Sequence, residues 1–112
     1  MINFSTLHHY AMSLPEASEE PHFEKKSYRV KKKIFATVGT EADFFVVKLT
    51  PIQQSVFCSW DESACHPIPN KWGLQGWTQV YFGKVDEDFL KDIVKTSYSN
   101  VAPKKLVDLI SD

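Results

Sequence analysis

Between residues 4 and 14 the apolar side chains Leu7, Tyr10, Ala11 and Leu14 recur at the i, i+3, i+4, i+7 spacing of one buried helical face. Pro15 disfavours the α conformation at Leu14 and predicts the helix end there. The following "PEASEEPHFE" reads as a polar loop carrying four glutamates. Alternation of period two then begins, with Tyr28 and Val30 on one side and Lys25, Ser27, Arg29 and Lys31 on the other. After a lysine tip, Ile34, Ala36 and Val38 are expected to share the apolar face. "GTEAD" predicts a second turn and "FFVVKLT" a third strand, completing an antiparallel meander.

A second helix is predicted from "TPIQQSVF". Thr50 can cap it, Pro51 suits the first helical position, and Gln53 completes a capping box. Ile52, Val56 and Trp60 fall on one stripe of that helix. "CHPIPNKWGLQG" reads as a loop, followed by a strand, "WTQVYFG", that sets Thr78, Val80 and Phe82 opposite Trp77, Gln79 and Tyr81. Asp86 caps a helix whose first turn holds Glu87 and Asp88, favourable against the helix dipole, and whose inner face carries Leu90, Ile93, Val94, Ser97 and Tyr98. Pro103 can open a last short helix through Ile110. The order is helix, β-meander, helix, strand, helix, helix. It predicts an α+β domain: one antiparallel sheet with helices packed on one face.

Composition narrows the function classes. The 112 residues suit one domain over positions 1–112, large enough to bury a core without staples. Fourteen acidic and thirteen basic side chains nearly cancel to a net charge of −1, so electrostatic function must come from local patches. "MINFSTLHHY" has no secretory pattern, and "FFVV" is too short to span a bilayer. Cys58 and Cys65 form no disulfide framework, which points to a reducing, cytoplasmic compartment.

Four stretches stand out together: "YAMSLPEASEEPHF", "KKIFATV", "NKWG" followed by Trp77, and "LKDIVKTSYSNVAPKKL". In these the chain resembles the MmcQ/YjbR family of small proteins often labelled DNA-binding. The resemblance implies a fold similar to frataxin-like proteins, with surface loops described as a double wing. Family members tend to carry glycine at the hairpin tip, where this chain has Lys31, Lys32 and Lys33. The iron binding of frataxin itself relies on an acidic helical ridge. It is not carried over, because helix 4–14 contains no Asp or Glu.

"KKSYRVKKK", residues 25 to 33, is the first candidate site. A nucleic-acid wing needs cations on one accessible face, because phosphate contacts supply most sequence-independent affinity. Lys25, Lys26, Arg29, Lys31, Lys32 and Lys33 are the candidates. Lysine-rich exposed strands also arise simply because charge blocks edge-to-edge pairing. The 66–77 loop is the second candidate: Asn70 and Lys71 could reach phosphate or a base edge, and Trp72 could stack on an unpaired base. The alternative is a protein-interaction or small-ligand module on an open sheet face bearing Trp77, Gln79 and Tyr81. Glu16, Glu19, Glu20 and Glu24 with His22 match no calcium loop, and Cys58, Cys65 and His66 lack zinc-site spacing. Without a phosphate loop, nucleophile elbow or zinc-hydrolase motif, the chain is read as a non-enzymatic protein needing no cofactor or metal. DNA or a protein is its expected partner, and no membrane is.

Overall fold

The computed structural model describes residues 2–39 and 41–110. The elements are α1 (Phe4–Ser13), β1 (Ser18–His22), β2 (Lys25–Val30), β3 (Lys33–Gly39), β4 (Phe44–Lys48), α2 (Pro51–Trp60), β5 (Cys65–Pro67), α3 (Lys71–Leu74), β6 (Trp77–Tyr81), a 3₁₀ turn (Phe82–Lys84), α4 (Glu87–Val101) and α5 (Lys104–Val107). The six strands form one antiparallel sheet in the order β1-β2-β3-β4-β6-β5. This is the expected α+β class.

Local chemistry sets the helix starts. Asn3 accepts from the Ser5 and Thr6 amides at α1. Thr50 and Gln53 form the predicted capping box at α2, and Asp86 accepts from the Phe89 amide at 2.8 Å at α4. α1 and α4 then bury Leu7, Ala11, Leu90, Ile93, Val94 and Tyr98 against Tyr28, Val30, Phe35, Phe45, Val47 and Val80 of the sheet. Apolar area removed from water in this layer is the main stabilising term. The Tyr98 hydroxyl donates to the Pro15 carbonyl at 2.6 Å and fastens the exit of α1 to α4.

The structure differs from the sequence pattern in five places. The segment 15–24 is not all loop, since Ser18–His22 pairs with Lys25–Arg29 as an edge strand. It carries no apolar alternation because an edge strand wet on both sides needs none, and its edge position tolerates Pro21. The 66–77 loop contains β5 and α3. The stripe Ile52, Val56 and Trp60 is exposed, and α2 buries Cys58 instead. The last helix stops at Val107 rather than reaching Ile110.

The correction with most consequence lies in β3. Tyr28 pairs with Ala36 but Arg29 pairs with Ile34, so Phe35 is an extra residue with no partner on β2. This bulge puts Phe35 and Ala36 together in the core and turns Ile34 to the opposite face, where alternation alone had placed it inward. The β3–β4 ladder is registered at Ala36↔Val47, and its next pair would join Phe35 to Lys48. There the Ser97 hydroxyl of α4 bridges the gap. It donates to the Phe35 carbonyl at 2.6 Å and accepts from the Lys48 amide at 2.8 Å. At the other end of β3, Lys31 and Lys32 have φ of 50° and 69°, both left-handed, between the Val30↔Lys33 pair. Two left-handed residues form the turn that matches strand twist, which Asn-Gly adopts with less strain than Lys-Lys.

Ser97→Ala should strand two buried backbone groups and cost about 3 kcal/mol, at roughly 1–3 kcal/mol per group, read by urea denaturation. The double variant Lys31→Asn/Lys32→Gly should move stability the other way, by about 1 kcal/mol in the same assay.

Candidate nucleic-acid interface

The sheet has a helix face and an open face, and the basic run is divided between them. Lys26 lies on the helix side, 3.6 Å from Glu19 and with its ammonium 5.2 Å from the centre of the Phe4 ring. Lys25 and Arg29 lie on the open side. The Arg29 Nε donates to Ser27 at 2.9 Å and is 4.0 Å from Glu20. At the turn, Lys31 reaches back to Glu16 at 2.8 Å, and that ammonium holds the Glu16 carboxyl below the usual carboxylate range. β1 is therefore an acidic strand laid beside a basic one. Among the described residues, Lys25, Lys32 and Lys33 make no ion pair, but Lys25 sits at the far end of the strand from the other two.

The 66–77 segment is ordered by two close backbone approaches. A Cβ at Gly73 would lie 2.0 Å from the Ile68 carbonyl oxygen, and one at Gly76, whose φ is +105°, would lie 1.8 Å from that of Leu49. Only glycine fits either place. Ahead of both glycines Asn70 caps α3, its side-chain oxygen accepting from the Trp72 amide at 2.8 Å. That oxygen shapes the loop, while Lys71 and a half-exposed Trp72 point outward.

These two regions meet across a groove of about 360 Å³ on the open face. Ile34, Thr37, Val46 and Ile68 line it, Trp72 and Trp77 flank it, and Lys25 and His22 stand at its β2 end. No acidic side chain is among those residues. The register continues the pattern along β4 and β6, where Lys48 pairs with Trp77 and Phe44 with Tyr81. Lysine ammoniums stand near the aromatic rings: Lys48 5.1 Å from Trp77, Lys71 5.9 Å from Trp72 and Lys84 5.7 Å from Tyr81. Of the predicted site residues the structure thus gathers Lys25, Lys71 and Trp72. It sends Lys26 to the other face and leaves Lys31, Lys32 and Lys33 at the turn.

The YjbR family model matches residues 12–100, from the last turn of α1 through nearly all of α4. The chain belongs to the YjbR family. This YjbR domain is also similar to the crystal structure of Deinococcus radiodurans protein DR2400, which has a DUF419 domain. The TM-score is 0.75 at 22% identity, covering 88% of this chain and 78% of that one. The likeness establishes the shared fold. No curated protein matches the sequence. Among the described residues no helix is long and apolar enough to cross a membrane, and no cluster of His, Cys, Asp and Glu could hold a metal ion.

Lys48, Lys84 and Ile34 were not singled out from the sequence as parts of this face. Lys48 and Lys84 become visible once β4 is registered against β6, and Ile34 only once the bulge is known.

The Glu16–Lys31 pair gives a titration with a definite sign. A carboxyl depressed in the folded state stabilises above its unfolded pKa, and the contribution is lost as pH falls through the folded value. Carboxyl NMR should find Glu16 titrating below an ordinary glutamate in the native protein. In Lys31→Ala it should return toward the ordinary range.

Proposed function

We propose that this domain binds single-stranded DNA along its open sheet face. Bases stack on Trp72 and Trp77, and phosphates are held by Lys25, Lys48 and Lys71. The observation that carries the reading is the groove itself, where two indoles flank an apolar floor and each has a lysine ammonium 5–6 Å from its ring. Base–aromatic stacking is worth about 1–3 kcal/mol per base. A partly exposed lysine–indole contact is worth only about 0.5–1 kcal/mol, so a phosphate can draw the lysine away at little cost. The hairpin turn supports a duplex-binding wing less well, because Glu16, Glu19 and Glu20 already answer Lys31, Lys26 and Arg29. Near-neutral overall charge is no obstacle, since the phosphate term depends on the cations at the contact.

The apolar floor favours a second reading, in which the same groove takes a small aromatic anion such as a mononucleotide. Its volume lies within the range of small-molecule sites. The two readings separate on chain length. A strand should bind more tightly than a mononucleotide, whereas a small-ligand site should not distinguish them.

Titration of intrinsic tryptophan fluorescence with oligothymidylate tests the proposal. Three phosphate contacts predict a slope of about −2 in log K against log salt, at roughly −0.7 per contact on single strands. Trp72→Ala should weaken binding roughly ten- to a hundredfold. Replacing Lys31, Lys32 and Lys33 by alanine should leave the slope nearly unchanged. Absence of salt-sensitive binding at low ionic strength would overturn the proposal.

A further inference from the structure

On the helix side of the sheet, α2 ends at Trp60 and the chain reverses through a short hydrogen-bonded turn. The Asp61 carboxylate accepts from the Ser63 amide at 2.9 Å and hydroxyl at 2.7 Å, and the Asp61 carbonyl accepts from the Ala64 and Cys65 amides. The reversal brings Cys65, at the start of β5, beneath Cys58 in the last turn of α2. Their sulfur atoms are 3.2 Å apart and neither is bonded to another cysteine. Cys65 is fully buried. Cys58 is 8% exposed and opens onto a surface cleft of about 470 Å³, also lined by Gln54, Ser55, Ser59, Glu62 and His66.

We propose that Cys58 and Cys65 form a redox pair that hydrogen peroxide closes into a disulfide, tying α2 to β5. The cleft admits the oxidant to Cys58 alone, which fixes the order of events. The Cys58 thiolate attacks one peroxide oxygen. The S–O bond forms, the O–O bond breaks, and the departing hydroxide takes a proton to become water. Cys58 is then a sulfenic acid. The Cys65 sulfur attacks the Cys58 sulfur, the S–S bond forms, and the S–O bond breaks. The second hydroxide leaves as water with the Cys65 proton. Two thiols have lost two electrons and two protons, and one peroxide has become two waters. Burial pushes both thiols above the ordinary cysteine range, Cys65 further than Cys58. The reaction is therefore slow at neutral pH, quickens as pH rises, and begins at Cys58.

The experiment treats the folded, reduced chain with hydrogen peroxide, blocks remaining thiols by alkylation, and maps peptides by mass. The expected product has lost the mass of two hydrogen atoms, carries a Cys58–Cys65 linked peptide, and returns to the starting mass with dithiothreitol. Its melting temperature should be higher by roughly 5–10 °C, since the link closes a short loop in the unfolded chain. In Cys65→Ser, or Cys65→Ala should serine disturb the core, oxidation should stop at a Cys58 sulfenic acid trapped by dimedone. In Cys58→Ser, Cys65 should stay a thiol through the same exposure. Overoxidised Cys58 without a link in the wild type would overturn the proposal. So would links between chains, or an intact dithiol under conditions that oxidise the unfolded chain.

Discussion

A single hydroxyl decides how β3 sits in this domain. Ser97 is fully buried on α4, and its two hydrogen bonds fill the place where the β3–β4 ladder would otherwise join Phe35 to Lys48. With that site filled, β3 can carry one extra residue without stranding a backbone group. The extra residue changes both faces of the sheet. On the helix side it adds Phe35, whose ring meets Tyr98 edge-on at 5.3 Å between centres and lies 6.5 Å from Tyr28. On the open side it supplies Ile34 to the groove floor. A strand of strict period two cannot do both, because a one-residue shift moves every side chain beyond it to the other face. Core packing and groove shape thus share one cause, the bulge at Phe35, whose carbonyl is held by a serine about one turn from the end of α4.

Electrostatics divides along the same two faces. β1 places Glu19 toward the helices, 3.2 Å from His8 and 3.6 Å from Lys26, and Glu20 toward the open side near Arg29. Partly exposed pairs of this kind add about 0–1 kcal/mol each, so they do little to hold the fold. Their larger effect is on the field. They offset three of the six cations of the most basic stretch, Lys26, Arg29 and Lys31, whereas the groove lining holds no carboxylate. The densest basic run in the sequence is therefore not where cations meet an acid-free groove.

The helices and the fold class were legible because their signals are local: Thr50-Pro51-Gln53 at α2, Asp86 at α4, and the inner face from Leu90 to Tyr98. β1 was not legible, because a wet edge strand leaves no hydrophobic pattern. Ile52, Val56 and Trp60 illustrate a different limit. Helical periodicity identifies a stripe but not which stripe meets the sheet, and here Cys58 with part of Phe57 is the buried side. The bulge at Phe35 escaped because no glycine marks it and its partner Ser97 lies 62 residues away. Of the site, Trp72, Lys71 and Lys25 could be named from composition and position. Their convergence with Trp77 and Lys48 depended on strand order, in particular on β6 inserting between β4 and β5.

That strand order also couples the groove to the cysteine pair. Cys65 and His66 are neighbours in β5, so their side chains point to opposite faces: Cys65 down to Cys58, and His66 up to within 3.3 Å of the Tyr81 hydroxyl. β5 has only three residues and ends where the segment carrying Trp72 begins. Its attachments are the ladder with β6 and the packing of Cys65 under α2. A covalent bond at Cys65 would remove freedom from the strand that positions one wall of the groove, without placing a new atom inside it. The proposed binding face and the proposed redox pair lie on opposite sides of one sheet, and this three-residue strand connects the cysteine at one to the loop that walls the other.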